Sequence, residues 1–427
     1  MTGLDTRTVN RRFLILRGLR WLPTGLLIPV FVLFFMERGF TLGEIGLITA
    51  VQGFTVFFFE LPTGGLADAL GRRRVLLGAT LAELVAMGVL VIAYDSMWVA
   101  GLGFFLQGIY RALESGPLDS WYVDALHETD PNADIEKGMG NSGVVIGLSL
   151  AAGSLLSSPV VVLAGSMGLP EPLVLPIFVA MGLRLVEFAA MYLLMTEVRP
   201  PLGLGEIKRS LAEVPQLIKT SVGMVRASAL LALLVSVELF WGFGMATFEM
   251  FPPVRLEAFT GSAEQAGAIM GPAAAAAWGA SALGAALVTR FSRRIGPYRA
   301  GAILRVIQGV AVVGIGLFAG VAGVLVAYIT SYLIHGASNP VHLALLHRQV
   351  ESKHRTTFLS INSMVGMTAG SLGGIALGAM ADAISVSVAI YLGAAVLILG
   401  AIPYLVARRK DPLTFDQPAR KEVNYAS

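Results

Sequence analysis

The 427-residue chain contains no cysteine and few charged residues. Without cysteine it has no disulfide framework, no thiolate metal site, no iron–sulfur cluster and no cysteine nucleophile. Only 14% of its residues are charged while 55% are hydrophobic. Soluble domains average about 25% charged and about 45–50% apolar residues. So few charges cannot cover the surface of a soluble chain of this length, and the composition excludes a soluble protein of two or three domains.

The sequence also lacks the patterns of several function classes. No basic stripe with interleaved aromatic residues lies outside the loops, so nucleic-acid binding is disfavoured. No Ser/His/Asp set, H-E-x-x-H motif, paired Asp motif or nucleotide-binding P-loop is present. The sequence therefore predicts a protein that is not an enzyme, not an ATP-driven pump, and without a cofactor or a resident metal.

Long hydrophobic runs make up most of the chain. A bilayer core about 30 Å thick needs about 20 consecutive apolar residues per helix. Runs of this kind predict an all-α polytopic membrane protein with twelve transmembrane helices. The predicted spans cover 13–36, 44–67, 75–94, 98–125, 139–163, 172–196, 227–252, 264–289, 299–319, 322–346, 355–380 and 384–407. Pro117 and Pro340 interrupt two of them.

The basic residues indicate how the chain is oriented. Of the 31 lysines and arginines, 24 fall in segments on one side of the predicted spans, and only Arg38 and Arg255 fall on the other side. Cytoplasmic loops carry the excess of lysine and arginine. We therefore expect both termini in the cytoplasm and a multi-pass location in the plasma (inner) membrane. No small-residue cleavage site follows the first span, which predicts a retained helix rather than a signal peptide.

The segment 198–225 differs from its surroundings. It opens on Pro200 and Pro201, and its apolar residues then recur at helical spacing. This pattern predicts an amphipathic helix at the membrane interface. The segment divides the chain into a six-helix bundle at 1–197, the linker at 198–225, a second six-helix bundle at 226–410 and a cytoplasmic tail at 411–427. A basic loop at 72–74 recurs about 221 positions later, which indicates a weak internal repeat.

The loop after the second span has a distinctive sequence, Gly64-Gly65-Leu66-Ala67-Asp68-Ala69-Leu70-Gly71-Arg72-Arg73-Arg74. Gly71 permits a tight turn at the membrane surface. Asp68 ends a helix and can meet the positive N-terminal end of the eleventh span. Arg72 can pair with a carboxylate at the end of the fourth span, for which Asp124 is the candidate.

This loop resembles the signature loop of the major facilitator superfamily, G-x-x-x-D-x-x-G-R-(R/K)-(R/K). Every fixed position matches, and the loop lies between the second and third of twelve spans. The resemblance, to drug exporters in particular, implies two pseudo-symmetric bundles around a central cavity and a transporter that functions as a monomer. The proline–glycine pair common in the fifth span of the family's antiporters is missing. The residues to which the resemblance assigns a gating role are Gly64, Asp68, Gly71, Arg72, Arg73 and Asp124.

Ionisable groups inside the bilayer are costly and mark candidate functional residues. Arg111 and Glu114 lie in the fourth span, Glu238 in the seventh and His335 in the tenth. The family's fold places the fourth, seventh and tenth spans around the cavity. We predict that Glu238 and Glu114 are the proton-coupling groups, that Arg111 pairs with Glu114, and that His335 is a third proton-coupling candidate. A static pair between Arg111 and Glu114 is the alternative.

Helical phase supplies candidates for the cavity wall. Glu238, Met245 and Glu249 share one face, and His335, Asn339 and His342 share another. Aromatic residues of the first and fourth spans would complete an apolar lining with a few polar anchors. The predicted lining residues are Arg111, Trp241, Met245, Glu249, Asn339, Trp21 and Tyr110.

Other charges within the spans have simpler interpretations. Arg184 and Glu187 are spaced to form a structural pair in the sixth span. Glu60 and Glu83 belong either to a proton path or to the gate. Three further arginines are expected to reach the cytoplasmic face along their aliphatic stems, namely Arg17, Arg20 and Arg305.

The sequence thus predicts a proton-coupled secondary active transporter that exports small, partly apolar or drug-like compounds by alternating access. Its predicted partners are the lipid bilayer, the small-molecule substrate and protons. Proton-coupled uptake of a polar or anionic solute, anchored by Arg111, is one alternative. Divalent-metal transport is another, since His335, His342, Glu238 and Glu249 could act as ligands. A non-transporting membrane sensor is a third.

Overall fold

The computed structural model of the protein describes residues 5–197, 203–350 and 355–411, which form sixteen helices and no strand. The first half holds α1 (Thr6–Leu27), α2 (Phe31–Glu37), α3 (Leu42–Leu70), α4 (Arg72–Ile92), α5 (Met97–Glu114), α6 (Pro117–Thr129), α7 (Ile135–Ser166) and α8 (Val174–Leu194). The linker helix is α9 (Leu204–Ala227). The second half holds α10 (Ala229–Thr260), α11 (Ala263–Ile295), α12 (Pro297–Leu317), α13 (Val321–Gln349), α14 (Arg355–Ala383), α15 (Val386–Leu399) and α16 (Ala401–Lys410).

The predicted boundaries of the two bundles, the linker and the tail stay predictions. A helix is present where the amphipathic linker helix was expected, but Pro200 and Pro201 lie outside the described residues. So do 412–427 of the predicted tail and the side chains of 355–357 at the start of α14.

The membrane-spanning helices follow the hydrophobic runs. Ten helical segments of the described chain are long and apolar enough to cross a membrane, with α15 and α16 counted together as one, and the pair α1–α2, bent by 40°, makes an eleventh. The remaining predicted span, 98–125, corresponds to α5 and α6. The number of membrane crossings and the fold class therefore agree with the predicted all-helical protein of twelve spans.

The fourth span is broken rather than continuous. Helix α5 ends at Glu114, and α6 begins at Pro117. Between them Gly116 has φ of +93°, a conformation that glycine adopts readily and other residues do not. Proline is tolerated in the first turn of a helix because its missing N–H has no partner there. Pro340 has no such effect, because α13 continues through it, so the interruption expected there is wrong.

Each half packs around its own neighbours. In the first half, α1 packs against α7 and α8, while α5 packs against α3 and α4. In the second half, α13 packs against α11 and α12, while α10 packs against α14 and α15. The two halves meet chiefly where α3 faces α14 and where α7 faces α11.

Small residues allow these two crossings to be close. A Cβ at Gly46 of α3 would collide with the carbonyl oxygen of Gly374 on α14. At the other crossing, the hydroxyl of Ser158 on α7 donates a hydrogen bond of 2.7 Å to the carbonyl oxygen of Ala268 on α11. Closely spaced small residues of this kind let helix backbones approach within membranes. Gly374 and Gly378 of α14 therefore lie at the contact between the halves, where they face Gly46 and Leu42 of α3.

The hydrophobic core differs between the two membrane sides. We call the side that carries Arg72 and α9 the linker side, and the other the far side. On the far side one cluster of buried residues contains members of both halves, such as Phe35 and Phe251. On the linker side the described buried residues form three clusters, around Trp121, Tyr404 and Leu304, and each lies within one half. The halves thus share a core only on the far side.

Candidate functional site

The signature loop forms the turn that its sequence predicts. Helix α3 ends at Leu70, α4 begins at Arg72, and Gly71 between them has φ of +95°. The guanidinium of Arg72 forms an ion pair with Asp124 and donates a hydrogen bond of 2.7 Å to the carbonyl oxygen of Ser120. The predicted contact between Arg72 and Asp124 is therefore present, and it ties α4 to α6. Gly64 lies within α3, one turn before Asp68.

Sequence reasoning missed Glu197, which fixes the start of α4. Its carboxylate accepts the backbone N–H groups of Arg72 at 2.9 Å and Arg73 at 3.2 Å. A carboxylate at a helix N-terminus satisfies donors that have no partner within the helix. The Arg73 guanidinium donates to the carbonyl oxygen of Tyr192 at 2.5 Å and lies 4.5 Å from the centre of that ring. Arg73 thus binds the end of α8.

Asp68 lies at the surface of this loop. Its side chain is 52% exposed and stands 3.5 Å from Arg72. The expected contact with the start of the eleventh span involves residues 355–357, whose side chains lie outside the described residues. Among the contacts described above, those of Arg72 and Arg73 lie within the first half, and the backbone N–H of Gly203 in the linker donates a hydrogen bond of 3.1 Å to the carbonyl oxygen of Ala69. Its gating role stays a prediction.

Two arginines of α1 are buried instead of reaching the membrane surface. Arg17 pairs with Asp119 of α6, and Arg20 pairs with Glu114 of α5. The two arginines are 7% and 4% exposed. The expectation that they extend to the cytoplasmic face is wrong, because carboxylates on a facing helix neutralise them inside the protein. The predicted pair of Arg111 with Glu114 is wrong for the same reason: Glu114 is bound to Arg20, and Arg111 is exposed.

A second buried group of charges joins α8 to α1 and α4. Arg184 forms an ion pair of 2.6 Å with Glu187, which confirms the predicted structural pair. The same guanidinium donates to the carbonyl oxygen of Arg20 at 2.8 Å and lies 3.9 Å from Glu83. Gln107 donates to Glu83 at 3.3 Å. Glu83 therefore belongs to the interior of the first half.

Glu238 has a partner that the sequence reasoning assigned to another role. Its carboxylate lies 3.0 Å from Nε2 of His342, and Nδ1 of His342 lies 2.8 Å from the hydroxyl of Tyr404. Glu238 is 7% exposed and His342 is 1% exposed. A Cβ at Gly366 of α14 would lie 2.8 Å from the carboxylate, so this helix packs directly on it. The chain Glu238–His342–Tyr404 joins α10, α13 and α16.

His335 lies in an aromatic cluster. Its ring is nearly parallel to that of Trp241, with centroids 5.6 Å apart, and it contacts Phe248 at 5.8 Å and Tyr332 at 6.0 Å. Its Nδ1 atom is buried without a hydrogen-bond partner among the described residues. His335 is therefore not the partner of Glu238.

Arg305 is buried, contrary to the expectation that it reaches the surface. It is 2% exposed, donates to Gln308 at 2.9 Å and lies 6.0 Å from the ring centre of Trp241. It also lies within range of electrostatic attraction to Glu238. The second half thus buries an arginine on α12 in the same interior as the carboxylate of α10, while the direct partner of that carboxylate is His342.

The four candidate metal ligands do not converge. Glu238 and His342 are in contact, whereas His335 stacks on Trp241. Glu249 makes no hydrogen bond or ion pair with the described residues. Within the described part of the chain, no group of three or more His, Asp or Glu side chains is arranged to hold a metal ion.

The predicted cavity residues fall into three groups. Tyr110 is 6% exposed and its ring lies 5.0 Å from the Arg184 guanidinium, so its placement in the cavity wall is wrong. Three side chains are partly buried, namely Trp21, Trp241 and Met245. Three polar side chains are exposed, namely Arg111, Glu249 and Asn339.

The two halves carry related polar interiors of opposite sign. In the first half, the first helix bears Arg20 and the third span bears Glu83. In the second half, the first helix bears Glu238 and the third span bears Arg305. All four side chains are buried. Each half therefore contains its own buried polar network, built on arginine–carboxylate pairs in the first half and on Glu238, His342 and Tyr404 in the second.

Comparisons with known proteins agree with this architecture. The model of the Major Facilitator Superfamily matches residues 13–338. "Inner membrane transport protein YajR" of Escherichia coli (strain K12) is 29% identical over 140 residues, which cover 33% of this chain and 29% of that protein. The chain thus matches less than a third of that relative's length.

Solved structures show the same fold at low sequence identity. The crystal structure of the nucleoside transporter NupG aligns with a TM-score of 0.75 at 12% identity, over 93% of this chain and 98% of that one. A bacterial homologue of the human lysosomal transporter Spinster, in an inward-facing and occupied conformation, aligns with a TM-score of 0.73 at 15% identity, over 94% and 97%. These likenesses, and the family match over most of the spanning region, show that the chain belongs to the Major Facilitator Superfamily of membrane transporters.

Proposed function

We propose that this transporter exports small, partly apolar solutes in exchange for protons, by alternating access. The observation that carries the proposal is the buried contact of 3.0 Å between Glu238 and His342. A carboxylate inside a membrane protein is costly unless it is paired, and such groups mark proton and substrate pathways. The pair lies where helices of the second half meet.

The contact provides a way for proton binding to alter packing. Protonation of Glu238 neutralises one partner and weakens its attraction to His342. Because Gly366 of α14 packs against the same carboxylate, a change at Glu238 reaches the helix that faces α3 of the first half. A local charge change that biases an element with two arrangements is a sufficient basis for coupling.

The uneven core supports alternating access. A shared core on the far side, with separate clusters on the linker side, is the arrangement of a transporter closed on the far side. The excess of basic residues assigns the linker side to the cytoplasm. The protein is then inward-facing, with both termini cytoplasmic, in the inner membrane as its relative YajR is named. Within the proposal it works as a monomer, since each half supplies one wall of the same cavity.

The substrate proposal rests on the wall residues. Trp21 of the first half and Trp241 of the second are only partly buried, and both lie on the first helix of their half. Met245 follows Trp241 one turn along α10. Apolar and aromatic surface around a few polar groups suits a partly apolar solute.

The experiment is a pH measurement in proteoliposomes. The reconstituted protein is exposed to a panel of candidate compounds while a dye reports the internal pH. Compounds that move protons through the unaltered protein should move none through Glu238→Gln, while exchange of labelled compound across the membrane continues. Glu213→Gln on exposed α9 is the control. Solute-driven pH changes that persist in Glu238→Gln would contradict the proposal.

A further inference from the structure

We infer that Arg111 and Glu249 are the two poles of the substrate site, and that the solute is a zwitterion with an apolar body. The inference rests on the proposed transport function and specifies its substrate class. Arg111 belongs to α5 of the first half and Glu249 to α10 of the second. A solute bound to both would therefore bridge the halves.

These two residues stand apart from the other charges within the spans. Most of the charges deep within the spans have a polar or charged partner in their own half. The pairs are Arg17–Asp119, Arg20–Glu114, Arg184–Glu187, Glu60–Ser115, Glu238–His342 and Arg305–Gln308, with Glu83 bound to Gln107. Arg111 and Glu249 make no hydrogen bond or ion pair with the described residues, and both are exposed. Arg111 and Glu249 are therefore two charges of opposite sign, one in each half, that lack such a partner.

The two side chains lie at similar depth. At about 1.5 Å per residue, Arg111 stands about 21 Å from the start of α5 at Met97 and Glu249 about 16 Å from the end of α10 at Thr260. Both of these helix ends are on the far side. Arg111 also lies within range of electrostatic attraction to Glu249, as it does to Glu60 and Glu83 of its own half. The two charges therefore face a common space between the halves.

The surroundings of Glu249 favour an ammonium group. Tyr328 and Tyr332 lie within electrostatic range of its carboxylate, with their ring centroids 5.0 Å apart. Trp278 adds a third ring, 5.5 Å from Tyr332. Aromatic faces attract cations, and a carboxylate supplies the opposite charge. At the other pole, the planar guanidinium of Arg111 matches a carboxylate or phosphate with two parallel hydrogen bonds.

Charge balance then selects the solute. When access closes around a neutral solute, Arg111 and Glu249 lose water without gaining partners, which is costly for both. A cation leaves Arg111 unpaired, and an anion leaves Glu249 unpaired. A zwitterion satisfies both groups, and its body can fill the apolar space near Trp241. The same argument explains why neither residue is paired within its own half.

Four compounds with one skeleton test the inference. They are L-phenylalanine, phenethylamine, 3-phenylpropanoate and 2-phenylethanol, which are zwitterionic, cationic, anionic and neutral at neutral pH. Titration calorimetry on the purified full chain measures their binding without a proton gradient. We expect phenylalanine to bind about tenfold or more tightly than each of the others, since each of them loses at least one charge-assisted hydrogen bond.

Substitution of Glu249 or Arg111 tests which charged group of the solute each residue binds. In Glu249→Gln, phenylalanine and 3-phenylpropanoate should bind about equally, because the ammonium no longer contributes. In Arg111→Gln, phenylalanine and phenethylamine should bind about equally. The matched controls are Arg209→Gln and Glu213→Gln, which remove an exposed ion pair of 3.2 Å on α9 and should leave all four affinities unchanged. Thermal unfolding of each variant checks that it is folded.

Two results would overturn the inference. One is binding of 2-phenylethanol as tight as that of phenylalanine, or no binding of phenylalanine. The other is a charge preference that survives both substitutions. Neither result bears on proton coupling, because that is measured through Glu238 with any compound that moves protons. The proposed substrate class and the proposed transport function can therefore be refuted independently of each other.

Discussion

Arg38 and Arg255 hold equivalent positions in the two halves. Each side chain binds the carboxyl end of the third span of its half, which is α4 for Arg38 and α12 for Arg255. Arg38 donates to the carbonyl oxygens of Leu90 at 3.0 Å and Val91 at 2.8 Å at the end of α4. Arg255 donates to the carbonyl oxygen of Ile315 at 3.3 Å near the end of α12. A cation there binds carbonyl groups that lack intrahelical partners. This explains why only these two basic residues fall on the far side in the sequence.

The two arginines should differ in their contribution to stability. Each guanidinium lies over an aromatic ring, Arg38 at 4.1 Å from the centre of Phe34 and Arg255 at 4.9 Å from that of Phe259, but Arg38 also forms an ion pair of 2.6 Å with Glu171. We expect Arg38→Gln to lower the free energy of unfolding by about 2 to 3 kcal/mol and Arg255→Gln by about 1 to 2 kcal/mol. Thermal unfolding in detergent measures both, with Arg209→Gln as the control. Equal effects would show that the ion pair of Arg38 with Glu171 contributes nothing.

The buried pair of Arg184 and Glu187 should respond asymmetrically to substitution. Arg184→Met leaves Glu187 buried without its cation and should destabilise the first half by about 3 to 5 kcal/mol. Arg184→Met with Glu187→Met removes both charges of the pair and should restore part of that loss, since Glu83, 3.9 Å from the guanidinium, stays buried without the arginine. A double variant no more stable than Arg184→Met would show that the pair is not the main contact. The measurement is the unfolding midpoint of the purified protein.

The close crossing of α3 and α14 should be sensitive to a side chain on either backbone. Gly46→Val would place atoms against the carbonyl oxygen of Gly374 and force the halves apart on the far side. We expect transport to fall by about tenfold or more, with the protein still folded. Gly78→Val on α4 is the control, since no atom lies within 4 Å of a Cβ there. Normal transport by Gly46→Val would rule out close packing as a requirement.

The chain Glu238–His342–Tyr404 predicts graded effects. Tyr404→Phe removes the hydroxyl 2.8 Å from Nδ1 of His342 but keeps the ring. It should lower proton-coupled flux severalfold, because the imidazole loses the group that orients it. His342→Gln should lower it further, and Glu238→Gln should abolish it. Flux in proteoliposomes under an imposed pH gradient gives the order, and a different order would contradict the proposed chain.

Local patterns in the sequence predicted much of the fold. The hydrophobic runs defined the spans, and the glycine at position 71 defined the turn, because both depend on residues close in sequence. Arg72 and Asp124 could be matched because each lies at a helix end on the same membrane side. The broken fourth span followed from Gly116 and Pro117, although only the proline was recognised.

The partners of the buried charges could not be predicted in the same way. Helical spacing brings Arg111 close to Glu114, yet the bond is made by Arg20 from a facing helix. Likewise, His335 and His342 are seven residues apart on α13, and only the positions of α10 and α16 decide which of them meets Glu238. Contacts between helices depend on packing angles that a single sequence does not contain.

The central claim is that the halves must separate on the far side for transport to occur. Because the chain has no cysteine, two can be introduced without background, at Ser158 and Ala268, where α7 meets α11. Joining them with a short bis-methanethiosulfonate reagent, which forms a disulfide with each cysteine, should stop proton-coupled transport. Reduction of the two disulfides should restore it, while each single variant treated alike stays active. Transport that continues at full rate with the cross-link in place would contradict alternating access through this interface.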